Sequence, residues 1–72
     1  MASNYEAYIV DSSCFSRCVW YAASGDLVIE YRNSGRTYTY AHVPRRVFDA
    51  LMRAPSKGKF LNEIVKPNYG LK

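Results

Sequence analysis

The chain has 72 residues, of which 49% are hydrophobic and 15% aromatic, and it carries a formal net charge of +4 at neutral pH. A chain of this length forms one domain and buries only about 60% of its unfolded surface, so the core must be dense. No apolar run approaches the roughly 18 residues of a membrane span, and Met1–Glu6 lacks the basic and apolar regions of a secretion signal. We therefore expect a soluble, cytoplasmic protein that is not associated with a membrane.

The two cysteines, Cys14 and Cys18, are four residues apart. In an extended segment at ~3.3 Å per residue their Cα atoms would be about 13 Å apart, beyond the ~7 Å limit for a disulfide. Reduced cysteines are typical of cytoplasmic proteins. Together with the single histidine, His42, they cannot complete a four-ligand zinc site without a carboxylate. We therefore expect no metal and no other cofactor.

The N-terminal segment gives weak structural signals. Tyr5–Val10 has the composition of a strand but alternates poorly, so residues 1–11 are either a tail or an added edge strand. The side chains of Asp11–Ser13 are of the kind that cap backbone N–H groups. They predict a turn or a single helical turn that directs Cys14 and Phe15 inward.

Three segments then have the composition and alternation of β-strands: Arg17–Tyr21, Leu27–Arg32 and Thr37–Tyr40. Ala22–Asp26 and Asn33–Arg36 separate them and have turn compositions, so consecutive strands should pair antiparallel. Alternate residues point to the same face of a strand. The side chains predicted to face the core are Cys18, Trp20, Leu27, Ile29, Tyr31, Tyr38 and Tyr40.

Two helices are predicted after the strands. The first begins at Pro44, whose missing N–H is not needed in a first helical turn, and ends at Ala54, before Pro55. The second begins at Ser56, a helix-capping residue, and runs to about Val65 before Pro67–Gly70 stops it. The apolar positions at helical spacing are Val47, Phe48, Leu51 and Met52 in the first helix and Phe60, Leu61, Ile64 and Val65 in the second.

These elements predict an α+β fold, a three-stranded antiparallel β-meander followed by two α-helices packed on one face. The sheet aromatics share a face with Leu27 and Ile29, so we expect them to pack in the core rather than to form a base-stacking platform. The opposite face should be polar, with Arg17, Glu30, Arg32, Thr37 and Thr39.

Several short motifs in this order resemble the KTSC domain family. They are Leu27–Tyr31, Gly35, Tyr38–Tyr40, Val43–Pro44, Ala54–Asn62 and Tyr69. The resemblance extends from Ser12 to Tyr69, within a single domain over residues 12–72. The chain departs from the family pattern at Val19–Tyr21, where Gly-Tyr-Asp is commoner, and this departure affects the expected form of the first turn.

The family comprises short domains of bacterial and phage proteins, which are also found at the C-terminus of some lysyl-tRNA synthetases. The resemblance therefore implies RNA binding, suggested for the family by that fusion. It implies no established catalytic activity.

Charge is distributed unevenly along this small basic protein. Residues 1–36 have a net charge of −1 and residues 37–72 a net charge of +5. This asymmetry would favour an anionic partner, although a solvated basic surface is the alternative.

Candidate anion-binding residues lie in the helical half. The start of the second helix combines free N–H groups with two lysines, which suits a phosphate, although a capped helix that packs closely at Gly58 is the alternative. Arg45, Asp49 and Arg53 also have the four-residue spacing of an exposed charge ladder along the first helix. The candidate anion-binding residues are Ser56, Lys57, Gly58, Lys59, Arg45, Arg46, Arg53 and Lys66.

No set of nucleophile, base and orienting group is apparent, so we expect no enzymatic activity. A pairing of His42 with Ser56 has no support beyond their presence in the chain. Two functions are predicted: a monomeric module that binds RNA through its phosphate backbone, or a protein-interaction adapter with no nucleic-acid role.

Overall fold

The structure is a computed structural model that describes residues 5–9 and 15–72. An antiparallel sheet forms one layer of the fold. Its strands are β1 (Tyr5–Ile9), β2 (Phe15–Tyr21), β3 (Asp26–Tyr31) and β4 (Thr37–Tyr40), in the order β1-β2-β3-β4. The predicted three-stranded meander is confirmed as β2–β4. Of the two alternatives for the N-terminal segment, the described residues form an edge strand, β1, which pairs with β2. The turn predicted at Asp11–Ser13 and the inward position of Cys14 lie outside the described residues.

A register shift in β2 brings its apolar residues to one face. Phe15 pairs with Tyr31, and Arg17 pairs with Glu30, so the strand contains an extra residue between these two pairs. A bulge of this kind changes which side chains face the core. As a result, Phe15 is buried beside the expected core residues of β2 and β3. The buried core consists of Phe15, Cys18, Trp20, Leu27, Ile29, Tyr40, Val43, Val47, Phe48, Leu51, Leu61 and Val65.

Helix α1 (Arg45–Arg53) lies against the core face of β2. It is one residue shorter at each end than predicted, because Pro44 occupies the N-cap position and Ala54 is extended before Pro55. The Trp20 indole N–H donates to the Val43 carbonyl at 2.8 Å, and the indole stacks on Phe48 with 5.6 Å between ring centroids.

The second helical segment contains three parts: α2 (Lys57–Phe60), a π-helical turn (Leu61–Val65) and α3 (Lys66–Asn68). As predicted, Ser56 caps its start, with its hydroxyl accepting from the Lys59 N–H at 3.3 Å. The two confirmed helical segments pack on one face of the sheet. No helix within residues 5–9 and 15–72 is both long and apolar enough to cross a membrane.

The second helix ends three residues later than its predicted end at about Val65, because helical structure continues through Pro67 to Asn68. The Lys66 N–H bonds to the Leu61 carbonyl, five residues back, and this wider turn precedes the proline. Beyond it, the Asn68 side-chain amide donates to the Ile64 carbonyl at 2.7 Å. The extra residue in the turn also moves Ile64 out of the expected apolar stripe, and Ile64 is 41% exposed.

Candidate ligand-binding surfaces

Three arginines of α1 are exposed, but they differ in their contacts. The Arg45 side chain pairs with Asp49 at 3.5 Å, and its guanidinium lies 5.6 Å from the centroid of the Trp20 ring. Arg46 and Arg53, seven residues apart, lie on one side of the helix. The first step of the predicted charge ladder is therefore present at Arg45–Asp49, and the structure gives no ion pair between Asp49 and Arg53.

The start of α2 has the contacts of a capped helix. The Ser56 hydroxyl accepts from the Lys59 N–H, and the Lys57 ammonium donates to the Ala54 carbonyl at 3.3 Å. Lys59 is exposed, whereas Lys57 and Gly58 are half-buried. Of the two lysines predicted to form an anion site here, Lys59 is therefore the more accessible.

Lys66 lies apart from the cations of α1. Its ammonium is 5.6 Å from the centroid of the Tyr31 ring, whereas Arg45 lies over Trp20. Trp20 is paired with Leu27 of β3, and Leu27 is four residues before Tyr31 on that strand. The two rings that the cations contact are therefore about 13 Å apart along the strand direction. The predicted basic residues therefore form a dispersed surface, and Lys66 belongs to a different site.

That site is an open cavity of about 730 Å³ between the β3–β4 turn, the core face of β4 and the C-terminal residues. We call it the tyrosine pocket and define it by Tyr31, Tyr38, Tyr69 and Lys66. Tyr31 meets Tyr38 edge to face, with 5.2 Å between their ring centroids. The Tyr31 and Tyr40 hydroxyls are hydrogen-bonded at 3.2 Å. Asn33 and Ser34 contribute polar groups at the pocket.

The tyrosine pocket differs from what the sequence predicts for these aromatics. Trp20 and Tyr40 pack in the core as expected, but Tyr31 and Tyr38 are only half-buried and also line the pocket. Their expected position on the core face is confirmed, and the structure adds that both rings are partly accessible from the pocket. The sequence does carry one signal of this accessibility. Both positions are tyrosine rather than leucine or phenylalanine, and a tyrosine hydroxyl needs water or a polar partner.

The C-terminal residues form another wall of the pocket by pairing with the outer edge of β4. The Ala41 N–H donates to the Gly70 carbonyl at 2.9 Å, and the Lys72 N–H donates to the Thr39 carbonyl at 2.7 Å. The Lys72 ammonium also bonds to the Asp26 carboxylate at 2.7 Å. These contacts hold Gly70 and Leu71, which both line the cavity, against β4.

In the part of the chain that the structure describes, the groups with nucleophilic or metal-binding chemistry do not form a reactive cluster. Cys18 is fully buried, and burial raises the pKa of its thiol to about 12, an effect that the charge of Lys57 partly opposes. The thiol is therefore protonated at neutral pH. His42 is exposed in the turn before α1, with a φ of 58°. Within residues 5–9 and 15–72, no three His, Cys, Asp or Glu side chains are grouped as a metal site would require.

The open face of the sheet carries a pair of exposed aromatic rings. Tyr5 and Tyr21 are register partners on β1 and β2, and their ring centroids are 5.7 Å apart. They are 51% and 40% exposed, respectively. The face expected to be polar therefore also has an aromatic portion. The sequence does not indicate it, because the weak alternation of Tyr5–Val10 leaves the pairing of this segment open.

Comparisons with known proteins agree with this architecture. A family model described as KTSC domain matches residues 11–69. A protein of Tsukamurella paurometabola is 40% identical over 60 residues, which cover 83% of this chain and 88% of the relative. The crystal structure of a KTSC domain protein from Yersinia pestis superposes with a TM-score of 0.85 at 29% identity and covers 94% of each chain. Its overall fold is thus shared with this chain. The family match spans most of the sequence, and the chain belongs to the KTSC domain family.

Proposed function

We propose that the protein is a non-catalytic module that binds RNA weakly through the phosphate backbone. The observation that carries the proposal is the charge of the helical layer, residues 45–68, which contains six Lys or Arg residues and two Asp or Glu residues. Phosphate contacts supply most of the sequence-independent affinity of proteins for nucleic acids. A basic layer on one side of the sheet suits this type of binding.

The exposed side chains Arg46, Arg53 and Lys59 are the strongest candidates for phosphate contacts. Arg45 is less suitable because it pairs with Asp49, and Lys57 is less suitable because it bonds to the Ala54 carbonyl. Dispersed cations without a base-reading surface position a backbone but do not select a sequence. We therefore expect this layer to bind different RNA sequences with similar affinity.

The test is a titration of labelled single-stranded RNA at two salt concentrations, followed by fluorescence anisotropy. Each phosphate contact adds about 0.7 to the log–log salt slope for a single strand, so three contacts give a slope of about 2. The triple variant Arg46→Gln, Arg53→Gln and Lys59→Gln should lose most of that slope. Its loss of affinity should be similar for unrelated sequences.

Arg17→Gln is the matched control, because it removes one exposed positive charge from the open face of the sheet. Each single helical variant should weaken binding more than this control does. If Arg17→Gln weakens binding equally, affinity follows the net charge and not the helical layer. If the wild-type protein binds no RNA at low salt, the proposed function is wrong.

A protein-interaction adapter is the second candidate, and the Tyr5–Tyr21 pair favours it. Exposed tyrosines are enriched at protein interfaces, and the helices leave this face of the sheet uncovered. A photo-crosslinking residue at position 21 should then capture one defined protein. The same residue at position 59, in the helical layer, should not capture it.

A further inference from the structure

The tyrosine pocket has the size and composition of a small-ligand site. Its volume of about 730 Å³ lies within the range of roughly 300–1,000 Å³ that is usual for such sites. Aromatic rings form much of its wall, and a few polar groups stand at its margin. All the residues that define it belong to the described part of the chain.

The ring geometry suits a planar ligand. Tyr31 and Tyr38 are held edge to face at 81°, so a planar group can lie along one ring and meet the edge of the other. The hydrogen bond between the Tyr31 and Tyr40 hydroxyls helps hold the Tyr31 ring in place. The aromatic wall is therefore ordered by contacts within the protein.

The charge at the pocket favours an anionic ligand. The Lys66 ammonium lies 5.6 Å from the centroid of the Tyr31 ring, and Lys66 is exposed and lines the cavity. None of the described residues that line the pocket is an Asp or Glu that could neutralise this charge. The amide of Asn33 adds a hydrogen-bond donor and an acceptor at the turn, groups that suit the polar edge of a nucleobase.

We propose that the tyrosine pocket binds a nucleotide, with the base against the Tyr31 and Tyr38 rings and the phosphate at the Lys66 ammonium. The nucleotide can be free or part of an RNA strand, because both present a base and a phosphate. The proposal deepens the proposed function, and only its strand-bound form rests on that function. A proline-rich peptide also suits an aromatic groove, but it offers no anion to Lys66.

The experiment is a titration of the protein with AMP, adenosine and inorganic phosphate, followed by backbone amide shifts. AMP should move the amide resonances of Tyr31, Tyr38 and Gly70, and it should bind more tightly than adenosine or phosphate. A short oligoadenylate is the second arm. It moves the same resonances if the pocket accepts a base within a strand, whereas a site for the free nucleotide responds to AMP alone.

Two pairs of variants test the ring and the charge separately. Tyr38→Leu should weaken AMP binding about tenfold, the scale of one lost stacking contact, while Tyr38→Phe should retain it within about twofold. Lys66→Gln should reduce AMP affinity to that of adenosine and leave adenosine binding unchanged. Arg17→Gln is the matched control for the charge, since Arg17 is exposed and lies outside the pocket, and it should leave AMP binding unchanged.

Several results would overturn the proposal. Millimolar AMP that leaves the three pocket amides unmoved would do so, as would a Lys66→Gln variant that binds AMP as tightly as Arg17→Gln does. A proline-rich peptide that moves these resonances where AMP does not would assign the pocket to peptides.

RNA binding that depends on salt but leaves the pocket amides unmoved rejects this inference and preserves the proposed function. AMP binding without salt-dependent RNA binding supports the pocket and rejects the helical layer as an RNA site.

Discussion

Gly25 joins the β2–β3 turn to the segment that precedes α1. Its N–H donates to the Tyr21 carbonyl, and its carbonyl accepts from the Val43 N–H, each at 2.7 Å. Its φ of 76° is in the left-handed region, and a Cβ built there would lie 3.2 Å from the Val43 carbonyl oxygen and 3.3 Å from the Cα of His42. Both the backbone conformation and the close approach therefore require glycine.

Gly25→Ala should accordingly destabilise the protein more than Gly35→Ala. Gly35 has a similar φ of 70°, but an added Cβ would have no atom of the described residues within 4 Å. Gly35→Ala should cost about 1 kcal/mol for the left-handed backbone alone, and Gly25→Ala at least about 2 kcal/mol because backbone atoms must also move. Urea unfolding measures both losses. Equal losses would show that the approach of Val43 to Gly25 adds no constraint.

At the scale of elements, the helices are held to the sheet by a few fully buried aliphatic side chains. Leu51 on α1 and Leu61 and Val65 in the π-helical turn are each 0% exposed. Met52 of α1 lies near Cys18 of β2, with 3.8 Å between their sulfur atoms. The helical layer therefore depends on apolar packing against β2 and β3.

Leu51→Ala should lower the free energy of unfolding by about 2–5 kcal/mol, because it removes a buried side chain and leaves a cavity. Ile64→Ala is the matched control, since Ile64 belongs to the second helical segment but is 41% exposed. Its cost should stay below about 1 kcal/mol. Denaturant titration of both variants tests the packing, and a Leu51→Ala loss as small as that of Ile64→Ala would contradict it.

The elements that sequence patterns predicted best are those with a regular hydrophobic period. Alternation identified β3, and Pro44 and Pro55 placed α1 to within one residue at each end. The π-helical turn was not predictable in this way, because Leu61, Ile64 and Val65 have a spacing that also fits an ordinary α-helix. Its wider turn is visible only in the bond from the Lys66 N–H to the Leu61 carbonyl.

At the scale of the whole molecule, an ion pair joins the end of the chain to the beginning of β3. The hydrogen bond from Lys72, together with its charge, holds the pKa of Asp26 below its ordinary value, although desolvation of the carboxyl opposes the shift. An Asp with a lowered pKa binds protons less readily in the folded state than in the unfolded state. Its contribution to stability is therefore present at neutral pH and is lost as the pH falls through the ordinary range of an Asp carboxyl and below it.

Asp26→Asn should make the melting temperature less dependent on pH in the acidic range. The wild-type protein should lose stability more steeply than the variant as the pH falls from about 5 towards 3, because only the wild-type protein has a carboxylate at position 26, and this group binds a proton more readily once the chain is unfolded. Thermal unfolding followed by circular dichroism at several pH values gives the comparison. Parallel pH profiles would show that the Lys72–Asp26 pair does not stabilise the fold.

The candidate surfaces were less predictable than the fold, for a physical reason. The alternation of residues along the strands placed Tyr31 and Tyr38 on the core face correctly, but it does not show how far the helices cover that face. The tyrosine pocket exists because the cover is incomplete at this corner of the sheet, where Tyr69 and the C-terminal residues form another wall. The candidate cations of the helical half could be identified from the sequence alone, whereas the separation of Lys66 from α1 is seen only in the three-dimensional structure.

The environment of Trp20 provides an intrinsic optical reporter of folding. It is the only tryptophan of the chain, it is 6% exposed, and its indole stacks on Phe48 within the core. Loss of the fold brings this indole into water, which shifts tryptophan emission to longer wavelength. Trp20 does not line the tyrosine pocket, so its emission can follow unfolding while the tyrosine resonances follow ligand binding. Stability and binding can thus be measured on the same protein without an added fluorophore.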